Sequence, residues 1–136
     1  MRQPEATATQ LLSAARVTAG EKASLWGPSW SRAAAFLARQ ALEAAVGQLW
    51  VGELAALSNC SFFDQLLCLP TYLSDDDLAR SARHTWCGLS RACHAHPYEL
   101  APTLGELEDL IGSVSDLLVQ VGSVTIGRPS LHSEAF

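Results

Sequence analysis

Apolar residues in this chain recur at three- and four-residue steps in several separate stretches, the spacing that places side chains on one face of a helix. The clearest stretch spans about residues 29–50. There Trp30, Ala34, Leu37, Ala41, Ala45 and Leu49 form one stripe, while Arg32, Phe36, Arg39 and Glu43 lie along another line. On that second line Arg39 reaches Glu43 one turn on, the i,i+4 geometry of a helical ion pair. Residues about 5–19 predict an earlier helix, with Leu11, Leu12, Ala15 and Ala19 on one side and Gly20 as its stop. The stretch Ser24-Leu25-Trp26-Gly27-Pro28 reads as a loop.

Gly47 and Gly52 weaken the end of the second helix, and a short helix is expected from Ser61 to Leu69, stopped by Pro70. Ser74-Asp75-Asp76-Asp77 then opens a longer helix, with a capping-box pattern and acids against the positive helix end. This helix is expected to end near Ala95, because Pro97 disfavours helical geometry at His96. A second capping box, Thr103-Leu104-Gly105-Glu106, starts a last helix that reaches about Val121. Its buried side is Leu107, Leu110, Ile111, Val114, Leu117, Leu118 and Val121.

No stretch reads as a strand and none repeats. The expectation is an all-α protein, a four- to five-helix bundle forming one domain over 1–122, with a mobile tail over 123–136. At 136 residues such a domain buries roughly two-thirds of the surface its unfolded chain exposes, so it needs no disulfide or metal to fold. Apolar residues make up 49% and charged residues 17%, which excludes global disorder. No run of about 18 apolar residues occurs, so no spanning helix and no membrane partner are expected. The N-terminus lacks the apolar segment of a signal peptide, which points to the cytoplasm.

Cys60, Cys68, Cys87 and Cys93 contain no C-x-x-C pair and are expected to be free thiols. A zinc site from Cys93, His94 and His96 matches no closed tetrahedral spacing, so no metal and no cofactor are assigned. A net charge of −5 argues against broad, nonspecific nucleic-acid binding. The charge is unevenly spread, however. Leu78 to His96 holds three arginines, three histidines and no acid. On an ideal helix Leu78, Ala82, Trp86, Leu89 and Cys93 group as core, and Arg80, Arg83, His84, Cys87, Arg91 and His94 fall within roughly ±60° of one direction opposite. Such a basic line suits a phosphate backbone or the acids of a partner, and is otherwise a solvated helix face.

The line runs into Arg91-Ala92-Cys93-His94-Ala95-His96-Pro97-Tyr98, the spacing R-x-x-x-x-H-x-Y. A guanidinium that grips phosphate and an imidazole that moves protons near neutral pH suffice for RNA cleavage without metal. On the ideal helix His96 falls about 140° from Arg91, toward the apolar side. It joins Arg91 only where the helix ends or distorts near Ala95. His94, on the same face as Arg91, is the competing proton carrier. No Walker loop, H-E-x-x-H, nucleophile elbow or carboxylate pair occurs elsewhere.

Over about 29–121 these residues resemble the HEPN superfamily, helical domains of prokaryotic toxins, CRISPR effectors and related nucleases. The family carries R-x(4–6)-H near the end of a late helix, matched here by Arg91 and His96, and one toxin branch extends it to the tyrosine matched by Tyr98. An earlier Gln-Ala/Glu signature is similar to Arg39-Gln40-Ala41-Leu42-Glu43-Ala44. Ala92 departs from the polar residue, commonly Asn, that often follows the arginine in active members. The resemblance implies a metal-independent endoribonuclease working as a homodimer in a toxin or antiviral-defence setting. Attack by an RNA 2′-hydroxyl would leave a 2′,3′-cyclic phosphate. Arg91 and His96 would be catalytic, and Arg80, Arg83, His84 and His94 are the expected substrate-binding residues. A small nucleotidyltransferase antitoxin that modifies Tyr98 is the implied partner. The alternatives are a catalytically silent HEPN-like module that binds RNA or a partner without cutting, and a metal sensor using Cys93, His94 and His96.

Overall fold

The computed structural model describes residues 7–21, 30–73, 75–94 and 102–123. Among the described residues there are five α-helices: α1 (Ala8–Glu21), α2 (Trp30–Gly47), α3 (Phe62–Tyr72), α4 (Asp76–Cys93) and α5 (Leu104–Ser123). A 3-10 helix, Gly52–Asn59, lies between α2 and α3. Among the described residues there is no strand, and the all-α helical bundle expected from periodicity is the architecture found. Residues 124–136, read as a tail, lie outside the described residues, as does the loop read at Gly27-Pro28.

α2 is the central element, in contact with α1, α4 and α5. Its sequence explains why. Ala34, Ala35, Ala38, Ala41 and Ala45 are buried, and small side chains on several sides of one helix let three neighbours approach it closely. Leu42 and Val46 fill the remaining space, fully enclosed. From α5, Leu107, Ile111, Val114, Leu117 and Val121 close the core as their spacing predicts. α1 contributes Leu12, Ala15 and Ala19, and α4 contributes Leu78, Ala82 and Leu89. Leu110 of α5 packs over Gly88 of α4, and a methyl group there would meet Leu110 Cδ2 at 3.1 Å, so that side chain would have to shift by a few tenths of an ångström.

α5 is capped by the expected Thr103, whereas the cap of α4 is Asp75, one residue after the Ser74 that the expected capping box begins with and that lies outside the described residues. Ser61 Oγ accepts from Asp64 N–H at 3.1 Å, Asp75 Oδ1 from Leu78 N–H at 3.0 Å, and Thr103 Oγ1 from Glu106 N–H at 3.1 Å. Each satisfies a backbone donor that the first helical turn leaves unpaired. α4 carries Asp76 and Asp77 in its first turn and Arg91 in its last, both favourable to the helix dipole.

Two expected stops do not stop their helices. α1 continues through Gly20 to Glu21. A glycine costs a helix only about 1 kcal/mol, and the buried Ala19 beside it holds the last turn against the core. α3 runs past Pro70 to Tyr72. Pro70 sits in the last turn, where Leu73 N–H donates to Leu69 O at 2.8 Å and closes the end. α2, by contrast, ends at Gly47, three residues before the periodicity fades.

The 3-10 helix and α3 are anchored to the end of α2 by a buried polar pair. Trp50 Nε1 donates to Gln65 Oε1 at 2.8 Å, and Gln65 Nε2 donates to Cys60 O at 3.0 Å. The Trp50 ring meets Tyr72 edge-on, centroids 6.0 Å apart. Gly52 begins the 3-10 helix at φ +60°, a left-handed conformation that glycine adopts freely. Gln65→Ala orphans the buried indole N–H and is expected to lower unfolding free energy by about 2 kcal/mol. Gly52→Ala is expected to lower it by about 1 kcal/mol through backbone strain alone. Urea denaturation followed by circular dichroism measures both.

Candidate functional site

α4 presents three faces rather than two. Leu78, Ala79, Ala82, Thr85, Leu89 and Ala92 are buried. Trp86, Ser90 and Cys93 are half-buried along the flank that meets α2. Arg80, Arg83, His84 and Arg91 are exposed. Trp86 and Cys93, expected in the core stripe, pack against the core from its edge and are half-buried. The flank they occupy has a polar partner.

That partner is the Arg39–Glu43 pair of α2. Arg39 Nε lies 3.4 Å from Glu43 Oε2, and Trp86 Nε1 donates to the same oxygen at 3.0 Å. Arg39 Nε is sealed from solvent and has this ion pair but no hydrogen bond of good geometry. The guanidinium carbon stands 6.0 Å from the Trp86 ring centroid, a cation–π arrangement. Arg39 Nη1 then extends to Ser90 Oγ at 3.5 Å and to His94 Nε2 at 3.4 Å. A guanidinium only donates, so in any hydrogen bond between the two it is Nε2 of His94 that accepts.

His94 is the C-cap of α4, with φ −111° and ψ 23°, and its own N–H donates to the carbonyls of Ser90 and Arg91. The helix thus ends at Cys93, two residues before the end expected near Ala95 from Pro97. His94 stands one turn beyond Ser90 on the edge of α4 that meets Arg39. Arg91, one turn earlier, is exposed, and among the described residues it meets no carboxylate within ion-pair distance. His96 and Tyr98 lie outside the described residues. Ala92 is only 8% exposed, so it packs toward the core.

The other basic residues gather elsewhere. Arg80, Arg83 and His84 line an open groove of about 600 Å³ between α3 and α4, with Leu66, Leu67 and Cys87. Arg80 pairs with Asp77 at 3.3 Å, but both side chains are largely solvated and the pair is weak. Arg83 lies over the Phe63 ring, 6.0 Å from its centroid. The four expected substrate-binding residues therefore divide, three on the groove and His94 at the helix end. Sequence reasoning gave Arg39 and Glu43 as an ion pair but did not bring them to α4. The signal was present in their shared line on α2, with nothing to say which helix that line would face.

All four cysteines are free thiols. Among the described residues no cluster of three or more metal-ligating side chains occurs. Burial pushes the Cys93 thiol above its usual range, opposed by the Arg39 charge and reinforced by Glu43, with Arg32 again opposing. No protein-family model, curated protein or solved structure matches the chain.

Glu43→Gln removes the counter-charge of a guanidinium whose side chain is only 20% exposed. A loss of about 1–2 kcal/mol in unfolding free energy is expected, and restoration when Arg39→Leu is added would identify the unpaired cation as its cause. A raised thiol pKa leaves less thiolate at a given pH, so Cys93 should react with iodoacetamide more slowly than the exposed Cys60 at pH 8. The gap should narrow as pH rises. Mass-spectrometric mapping of the labelled sites reads this directly.

Proposed function

We propose that this chain is a metal-independent endoribonuclease of HEPN type. The carrying observation is the placement of the Arg39 guanidinium 3.4 Å from His94 at the end of α4, within the motif that begins at Arg91. A guanidinium and an imidazole drawn from two helices to one end of the bundle are the groups that phosphodiester transfer without metal requires.

In this reading Arg91 and His96 are the catalytic pair, and Arg39 supplies a second cation. An incoming phosphate competes with His94 for the Arg39 donors. As it takes them, Nε2 of His94 is freed to accept a proton. His94 and His96 then share the two proton transfers, from the 2′-hydroxyl and to the leaving 5′-oxygen, and the product is a 2′,3′-cyclic phosphate. Arg39 and Arg91 stabilise charge on the phosphoryl oxygens. Glu43 and Trp86 hold Arg39 in place and do not touch the substrate. A homodimer that places two such helix ends together, a toxin or defence role, and control by a nucleotidyltransferase acting on Tyr98 belong to the same proposal.

A second reading, a silent HEPN-like module that binds without cutting, is favoured by Ala92. That residue is turned into the core, and it supplies no polar group beside Arg91.

Purified protein is expected to cut single-stranded RNA in EDTA. Arg91→Ala, His96→Ala and Arg39→Ala should each lower the rate by about 10²–10³-fold, the usual consequence of removing one group that stabilises transition-state charge. Helix content by circular dichroism should be unchanged in the Arg91 and His96 variants. Full cleavage by both would overturn the assignment, and absence of any cleavage by the wild type would leave the binding module.

A further inference from the structure

Phe63 is an exposed aromatic residue, 41% accessible, on the wall between the groove and the Arg39 cluster. Arg83 stands over it at 6.0 Å, and its ring lies 6.4 Å from Trp86, tilted by 42°. Trp86 in turn carries the Arg39 guanidinium at 6.0 Å, and Arg39 reaches His94. Cations and rings therefore form one connected series across three helices: Arg83 of α4, the Phe63 and Trp86 rings in contact, then Arg39 of α2 and His94 at the end of α4. The groove beside this track holds Arg80 and His84.

We propose that this track is a binding path for single-stranded RNA, with Phe63 as a stacking platform for one base and Arg83 as the contact to a neighbouring phosphate. The inference takes the RNA substrate of the proposed function as its ligand and adds a contact region distant from the motif. Bases offer a flat face to an exposed ring whatever their identity, and phosphates match guanidiniums spaced between such rings. A duplex would present its phosphates but keep its bases from Phe63. An acidic peptide would satisfy the arginines and leave the ring without a partner of its own kind. The only carboxylate on the groove wall is Asp76, and the Asp77–Arg80 pair is solvated enough to open when a phosphate arrives. At helical rise, Arg83 and Arg91 are about 12 Å apart along the axis. A stacked strand covers that distance in about four nucleotides at ~3.4 Å each. A strand lying on the track thus delivers a phosphate to the helix end while a base a few positions away rests on Phe63.

The experiment measures binding of the full-length protein to a fluorescein-labelled 2′-O-methyl uridine oligonucleotide by anisotropy across a salt series. That probe has no free 2′-hydroxyl and cannot be cleaved by the proposed route, so binding is read apart from cutting. Phe63→Ala is expected to weaken binding about tenfold, and Phe63→Trp to retain it. Arg83→Gln should weaken it and reduce the salt slope by about 0.7. Both side chains are exposed, so circular dichroism should show intact helices in every variant. Wild-type affinity in Phe63→Ala and Arg83→Gln overturns the track, as does failure of the wild type to bind the probe at low salt. Binding of polyglutamate instead, lost in Arg83→Gln but indifferent to Phe63→Ala, would reassign the groove to an acidic protein. If the wild type binds the probe through Phe63 and Arg83 but does not cut unmodified RNA, the track stands and the nuclease reading fails.

Discussion

The proposed chemistry depends on one guanidinium held in place by its neighbours. Arg39 is held at Nε by Glu43 and over the Trp86 ring, and it extends Nη1 toward Ser90 and His94. An exposed arginine loses rotamer freedom on each capture of an anion, at roughly 1.5–2 kcal/mol if fully immobilised. Arg39 has surrendered most of that freedom on folding. Glu43 neutralises one charge, yet its Oε2 also accepts from the indole, so the carboxylate is shared rather than devoted to the arginine. The result is a cation held at a set distance from the end of α4.

That arrangement follows from the alanines of α2. Ala34, Ala35, Ala38, Ala41 and Ala45 leave the helix narrow on its buried sides, so α1, α4 and α5 all pack against it. Bulkier residues there would move α4 outward, and the Arg39–Ser90 and Arg39–His94 distances, already 3.5 and 3.4 Å, would exceed hydrogen-bond range. Core packing and the site are therefore one constraint. Glu43 and Trp86 are positioned by the same approach, since the indole bridges the two helices at 3.0 Å.

Much of the fold was legible in the sequence. The apolar steps of α2, α4 and α5 named their buried faces, Thr103 named the start of α5, and the acid run after Ser74 named the start of α4 to within a residue. What misled were residues judged by type alone. Gly20 and Pro70 are breakers in isolation, but near the end of a helix they forfeit little, and packing carries the chain past them. The 3-10 helix Gly52–Asn59 has no buried residue and hence no periodicity to betray it. Within the site, Arg91 and the end of α4 were legible because Pro97 constrains its neighbour. The role of Arg39 was not, because a helical ion pair at i,i+4 is the same in sequence whether it faces solvent or another helix. The division of the basic line was likewise hidden. An ideal helix projects Arg80, Arg83, His84 and His94 into one broad sector, and nothing in the sequence says that the Ser90–His94 edge of that sector meets Arg39 of α2.

The acidic net charge bears on both proposals in the same way. A chain at −5 repels a polyanion at long range, and this repulsion is screened beyond about 8 Å at physiological salt. Binding must then come from contacts made within that distance, where local charge outweighs the total. The described part of α4 beyond Asp77 contains arginines and histidines and no carboxylate, and its only nearby acid toward α2 is already engaged. Rings add a term that does not depend on charge. A surface that alternates guanidinium with aromatic faces gains stacking energy from bases at salt concentrations that would strip a purely ionic complex. For an acidic protein that handles RNA, aromatic residues between the arginines are the physical requirement, and Phe63 and Trp86 occupy those positions.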